Sequence, residues 1–406
     1  MNAFSLAYRN LARQRRRTLL IEAVVAFGFA ALALATGFMI QSFDSLRAAM
    51  IQQIGHLQVM HPSAATNSEE TTLEFGIPHA VRARALAATV PSVVAVLPRI
   101  EWVGLVTNGT RSVPYLGLGV DPGPEFAATR QRELVVEGSY LQGDGGDEIV
   151  MGTGLARALG VRTGDQLTLL ASTVDGSLNA VDVRVRGLLA IPIKELNDRT
   201  LVGGITLVSQ LLHSEGTVSK LVVFLKSERD LEAASAALAV RLAPVGPVAI
   251  VPWRTIAVFY SQVRLLYTAI FGFVNTVLVL MVVLSAAIVM TMAVAERTRE
   301  VGTLRALGTR PARIRNTFLA EGVLIALAGS IAGLVLALAV RAALNASGII
   351  LPPPPGAAVG MPIHVGLYPS AYLFGLAVMV GTMLLASFFP ARRAAHLSIV
   401  EALTHV

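Results

Sequence analysis

A chain of 406 residues that is 54% hydrophobic and only 15% charged is not an ordinary soluble globule, because those carry about 25% charged residues. The formal charge of +7 does not mark a nucleic-acid partner, because it is divided: residues 1–18, 296–315 and the tail after residue 389 together carry +10, whereas 41–264 holds 19 basic and 21 acidic residues. The absence of Cys excludes disulfides and thiolate metal sites and is compatible with a domain folding in a bacterial periplasm independently of redox conditions.

Residues 1–18 hold Arg9, Arg13, Arg15, Arg16 and Arg17 and no acid, with Phe4, Ala7, Tyr8 and Leu11 at helical spacing. This pattern predicts a cytoplasmic interfacial helix over 1–18; a disordered basic tail is the alternative. Residues 23–43 lack Asp, Glu, Lys and Arg, which predicts transmembrane helix 1 over 19–40. Ala31-Leu32-Ala33 resembles a signal-peptide cleavage site, but the apolar run reaches Ile40. That is too long for such a peptide, so a retained anchor is expected. With no Pro or Gly after Gly37 as far as Gln53, the helix is expected to project past the bilayer as a stalk.

Residues 41–264 read as an α+β domain with stalk helix ends. Strand-like runs occur at 93–96, 102–107, 134–136, 167–170, 181–185, 205–208 and 221–225, with turn clusters such as Asp144-Gly145-Gly146-Asp147 and Asp175-Gly176 between them. Helical patterns lie at 80–89, 154–159 and 229–242, and polar 63–74 is expected to be a mobile loop. Such mixing fits one α+β domain or two subdomains.

The stretch 254–310 contains no Pro. Transmembrane helix 2, over 265–294, is therefore expected to overshoot the membrane and to pair with the extended first helix as a two-helix stalk. Residues 295–317 are a polar connection, and 318–340 form transmembrane helix 3. There Gly329 and Gly333, four apart, are helix-packing candidates, read either as a dimer seam or as a chance match in an Ala/Gly-rich span. Pro352, Pro353, Pro354, Pro355, Pro362 and Pro369 make 341–370 an extended external loop. Transmembrane helix 4 covers 371–389, and 390–406 is the tail. Basic residues cluster in alternate short segments, so the positive-inside rule places both termini and 295–317 in the cytoplasm and 41–264 and 341–370 outside. The fold class is membrane α-helical: four transmembrane helices with a large α+β extracytoplasmic (periplasmic) domain between helices 1 and 2.

No catalytic constellation is visible. There is no GxxxxGK[ST] phosphate loop, no H-E-x-x-H and no G-x-S-x-G. Gly152-Thr-Gly154 begins a dinucleotide fingerprint but lacks its third glycine. The chain is expected to be a non-catalytic membrane subunit with no metal and no cofactor of its own. Glu22 and Glu321 lie near the cytoplasmic ends of spans, beside Arg17 and Arg315, and are read as structural. Between spans two and three, Val301, Leu304 and Leu307 fall on one face of a short helix, with Arg297, Arg299 and Arg305 elsewhere. Gly308 suits a left-handed cap and Pro311 the first turn of the next helix. A helix docking into another protein's groove and a solvated basic loop both fit this pattern.

Four stretches together resemble the MacB/FtsX-type permease superfamily, in particular its lipoprotein-releasing LolC/LolE-like branch. They are Tyr8-Arg-Asn-Leu-Ala-Arg-Gln-Arg-Arg-Arg-Thr-Leu-Leu20; Gly117-Leu-Gly-Val-Asp121 with Glu137-Gly138 and Glu148-Ile-Val-Met-Gly152; Glu296 to Gly308 with Phe318-Leu-Ala-Glu321; and Pro390-Ala-Arg-Arg-Ala-Ala395 with Val400-Glu-Ala-Leu403. The resemblance implies that 296–310 is a coupling helix seated on a separate cytoplasmic ATPase. Glu296, Arg297, Arg299, Glu300, Val301, Gly302, Leu304, Arg305, Leu307 and Gly308 would form that interface, and ATP and Mg would bind in the partner. It further implies a second permease copy or paralogue, a bacterial inner-membrane location and contact with membrane lipids. A periplasmic adaptor or carrier protein is a further partner the resemblance allows. The expected function is export or extraction of a lipid-like, lipoprotein or other hydrophobic cargo by mechanical transmission to the periplasmic domain. The alternative is an ATP-driven relay that activates a periplasmic hydrolase, but members of that kind resemble a version with a much smaller external domain.

Overall fold

A computed structural model describes residues 3–396 apart from 14, 67–72, 130, 144–145 and 353–359. The tail motif at 400–403, the prolines at 353–355 and the first half of the 144–147 turn lie outside the described residues, as does the middle of 63–74, whose described ends are short helices, Pro62–Thr66 and Leu73–Phe75, and not loop. The chain divides into two units, one made of Leu46–Ser261 with Ile350–Met361 and the other of the remainder.

Among the described residues, four helices are long and apolar enough to cross a bilayer, Thr18–Ile54, Tyr260–Glu296, Pro311–Ala346 and Pro369–His396, and most of their length belongs to the second unit. A helix satisfies its own backbone polar groups, which hydrocarbon cannot do. The first has 37 residues, and at 1.5 Å per residue it runs about 55 Å, well past the ~30 Å hydrocarbon core. A separate helix, Ala3–Arg13, buries Ala7 and exposes Tyr8. Val25 and Phe29 of the first span share an apolar cluster with Val282 and Ala286 of the second, Ile325 and Ala326 of the third, and Met379 and Met383 of the fourth.

Small residues bring these helices together. A Cβ on Gly329 would stand 2.8 Å from the Val25 Cβ, and one on Gly333 would stand 2.6 Å from the Ala26 carbonyl oxygen. The two glycines read as packing candidates thus seat the third span on the first within one chain. The fourth helix continues through Pro390 to His396. Pro390 gives up one backbone donor, but beyond it Ala391 and Ala394 are buried against Val294, Val301, Ile314 and Phe318.

Among the described residues, the main sheet of the α+β unit has ten strands: β1 (Leu57–Met60), β2 (Val93–Thr107), β3 (Ser112–Val120), β4 (Val135–Gly138), β5 (Glu148–Gly152), β6 (Gln166–Ser172), β7 (Leu178–Leu189), β8 (Thr200–Gly204), β9 (Lys220–Leu225) and β10 (Ala249–Pro252). Their order is β10-β1-β9-β2-β3-β8-β5-β7-β4, with β6 pairing both β2 and β7. The β6 pairings close β2, β3, β8, β5, β7 and β6 into a ring, which removes sheet edges. β9, β1 and β10 extend from it as an open sheet. Long β2 belongs to both parts, pairing β9 over its first half and β3 over its second. Pro98, which splits this strand in the sequence pattern, sits opposite Leu221 just before β3 pairing begins at Arg99. Its missing donor therefore breaks no β3 ladder bond.

One strand expectation is overturned. Residues 205–208 belong to a helix, Ile205–Leu212, which follows β8 with Gly204 as its N-cap. Leu207, Val208, Leu211 and Leu212 are its buried positions, a helical spacing that overrides the β-preference of Ile205, Thr206 and Val208.

Candidate coupling site between the second and third membrane helices

The second long helix ends at Glu296, the chain turns at Arg297, and a short helix follows over Thr298–Ala306. Arg297 holds this corner. Its Nε donates to Glu300 Oε2 at 3.1 Å and its Nη1 to Glu321 Oε1 at 3.0 Å, while the guanidinium lies 5.6 Å from the centre of the Phe318 ring. Glu321 is only 5% exposed and also accepts from Asn10 Nδ2 at 2.8 Å. Two long helices, the short helix and the N-terminal helix therefore converge on one buried ion pair. Glu300 also accepts from Arg13. Burial pushes the Glu300 carboxyl up, but hydrogen bonds from Arg13 and Arg297 and their charges outweigh it and hold the group below its usual range.

This corrects the pairing expected for Glu321. Arg315 turns to Asn316 at 3.5 Å, because six residues along a helix is a rotation of about 240° and points the two side chains apart. The structural reading of Glu321 stands, with Arg297 as its cation.

The inner face of the short helix consists of Thr298, Val301 and Gly302, with Val301 buried against Val294, Ile314 and Phe318. Arg305 Nη1 donates to the Ala395 carbonyl at 2.5 Å. Its outer face carries Arg299, Thr303, Leu304, Ala306 and Leu307, all exposed, with Leu307 79% exposed. The single apolar stripe read from Val301, Leu304 and Leu307 is therefore divided. Each step of three residues turns 300°, so Val301 and Leu307 stand about 120° apart. Likewise Arg297 and Arg305, read as available cations, are engaged within the chain, whereas Arg299 is on the outer face.

Gly308 has φ 84°, its N–H donates to the Arg305 carbonyl, and the Thr309 N–H donates to the Leu304 carbonyl, each at 3.0 Å. This double return is the Schellman arrangement and requires a residue tolerant of positive φ. Pro311 opens the next helix, where its missing N–H costs nothing. The result is a rigid corner whose exposed face is apolar with a basic rim. Sequence patterning alone misses the contributions of Asn10 and Arg13, which lie 311 and 287 positions from Glu321 and Glu300; the one signal is a polar Asn10 on the apolar side of an amphipathic helix.

Two family models match the chain: MacB-like periplasmic core domain over residues 18–240, and FtsX-like permease C-terminal over residues 272–399. The first alone covers more than half of the sequence. The chain belongs to the MacB/FtsX-type ABC transporter permease family. Among relatives, the macrolide export ATP-binding/permease protein MacB of Marinobacter nauticus is 41% identical over 115 residues, 28% of this chain and 16% of that protein. The pyoverdine export ATP-binding/permease protein PvdT of Pseudomonas syringae pv. tomato is 40% identical over 116 residues, 29% of this chain and 16% of that protein. The lipoprotein-releasing system transmembrane protein LolC of Xylella fastidiosa is 26% identical over 360 residues, 80% of this permease and 81% of that protein. The match thus spans about one sixth of the macrolide and pyoverdine relatives. A crystal structure of the periplasmic region of MacB from Actinobacillus actinomycetemcomitans aligns over 51% of this permease and 93% of that region, at 13% identity and TM-score 0.37.

Proposed function

We propose that this permease works with a separate cytoplasmic ATPase subunit and a second permease chain in a bacterial inner membrane, exporting or extracting a lipid-like, lipoprotein or other hydrophobic cargo. Both termini and the Thr298–Ala306 helix face the cytoplasm, and the α+β unit faces the periplasm. The ATPase binds ATP and Mg; closure of the ATPases moves the short helix, and the long helices carry that motion outward. The observation that supports this most is the corner itself. Buried ionic and apolar contacts hold its inner face, while Leu304 and Leu307 stay exposed beside Arg299. A rigid element that presents an apolar anchor within a basic rim fits a groove on another protein.

The test is capture. Leu304→Asp with Leu307→Asp is expected to abolish copurification of the ATPase and permease-stimulated ATP hydrolysis, a loss of about 2 kcal/mol or more, as for interface anchors generally. Unfolding of the permease alone should be unchanged, since both side chains are exposed. Undiminished capture by the double variant would refute docking through this face.

A further inference from the structure

Both long helices leave the α+β unit from one corner of its sheet. β1 begins three residues after the first helix ends at Ile54, and β10 ends at Pro252, shortly before the second helix begins at Val258. The two strands are antiparallel neighbours, with Leu57 opposite Pro252. The ladder therefore fixes where the helices depart. The end of the first helix is held by Arg99 Nη1, which donates to the Gln53 carbonyl at 2.6 Å, and by Gln58 Nε2, which donates to the Ile54 carbonyl at 2.9 Å. His56 joins the segments: its carbonyl accepts from the Trp253 N–H and its Nδ1 from the Leu225 N–H, each at 3.1 Å.

Beyond the ladder, Glu228 ties the adjoining ends of both helices to the sheet. It lies in the short turn after β9. Its Oε2 accepts from Arg47 Nη1 at 3.3 Å, and its Oε1 accepts from Arg254 Nη2 at 2.6 Å and from Trp253 Nε1 at 3.3 Å. Arg47 is seven residues before Ile54, about 10 Å up the helix, so the contact acts on a lever arm. Trp253 is buried and meets Tyr260, at the start of the second helix, edge to face with ring centres 5.0 Å apart. Glu228 thus holds the first helix directly and the second through Trp253 and Arg254. Arg47 and Arg254 are 43% and 68% exposed, and ion pairs that open to water contribute little to folding.

We propose that Glu228 is a positioning residue that braces both long helices against the sheet, so that a tilt of either moves the α+β unit bodily instead of bending the chain at 46–57 and 252–258. This rests on the coupling reading above and is separable from it. The test is amide hydrogen exchange of the permease–ATPase complex in nanodiscs, with and without ATP plus vanadate. In the native complex, ATP is expected to leave exchange at 46–57 and 252–258 unchanged, while spin labels on the α+β units of the two permease chains change separation as the units move bodily. In Glu228→Gln, exchange at those two segments should rise about tenfold with ATP only, as local opening there becomes the easier response, and the ATP-dependent change in label separation should be lost. A merely structural role would raise exchange with and without ATP alike. Combining Glu228→Arg with Arg47→Glu and Arg254→Glu is expected to restore the two ion pairs and only part of the native pattern, because an arginine cannot accept from Trp253 Nε1. If Glu228→Gln behaves like the native complex, or loosens equally in both states, the brace is refuted while coupling stands. If the native complex shows no ATP-dependent change in label separation, the coupling reading fails and the brace falls with it.

Discussion

Replacing Glu125 by alanine is expected to destabilise the α+β unit by about 3–5 kcal/mol, because it leaves a buried guanidinium without its anion. The Glu125 side chain is fully buried and that of Arg99 is 4% exposed. Arg99 Nη2 donates to Glu125 Oε1 at 2.6 Å, and Gln131 Nε2 donates to the same oxygen at 3.2 Å. Gln131 in turn accepts from the Tyr140 hydroxyl. Burial, reinforced by the Glu125 charge, holds that phenol protonated well above its ordinary range. The network is closed, so loss of one member strands the others. Replacing both partners, Arg99→Met with Glu125→Leu, should recover most of the loss, since a hydrophobic pair needs no desolvation of charge. It would not recover the bond from Arg99 to Gln53. The chain's two tryptophans, Trp102 and Trp253, both lie in this unit, so tryptophan fluorescence during thermal unfolding reports it alone. A midpoint lowered by about 10 °C in Glu125→Ala is expected for a unit of this size. A midpoint within 2 °C of the native one, roughly 1 kcal/mol, would contradict it.

The second large effect belongs to the corner. Arg297→Met is expected to cost about 3–5 kcal/mol, because Glu321 then keeps only the Asn10 amide in an apolar setting. Arg297→Lys should lie between native and Met. One ammonium cannot reproduce a fork that reaches Glu300 with Nε and Glu321 with Nη1 at once. Glu321→Gln combined with Arg297→Met should restore folding without restoring the geometry of the short helix. Retention of monodisperse protein in detergent reads folding, and ATPase stimulation reads geometry. The double variant is expected to recover the first and not the second; recovery of both would show that Arg297 serves stability alone.

The membrane part of this fold is legible in the sequence because its determinants are local. Twenty apolar residues in a row make a span wherever they sit, and Gly308 before Pro311 marks one helix end and the next helix start. The α+β unit is less legible. β1 and β10 are four-residue strands whose identity comes from pairing with each other and with β9, and the helix after β8 reads as a strand because β-branched Ile205 and Val208 favour a strand locally. Within the site, residue types point to the right segment but not to the right faces. Val301 lies inward and Leu307 outward, and that division depends on Ile314, Phe318 and Ala394, which are remote in sequence. The ion pairs Arg297–Glu321, Arg99–Glu125 and Arg47–Glu228 join residues 24, 26 and 181 positions apart, beyond the reach of any helical or strand period.

Because the chain has no Cys, single cysteines can be introduced without background, and cross-linking to the copurified ATPase tests docking through the outer face of the short helix most directly. Leu304→Cys and Leu307→Cys are expected to cross-link to the ATPase with a short bifunctional reagent and to lose thiol labelling when the complex forms. Gly302→Cys on the inner face should do neither. Cross-links that are absent at 304 and 307, with labelling there equal in the free and the ATPase-bound permease, would contradict the account.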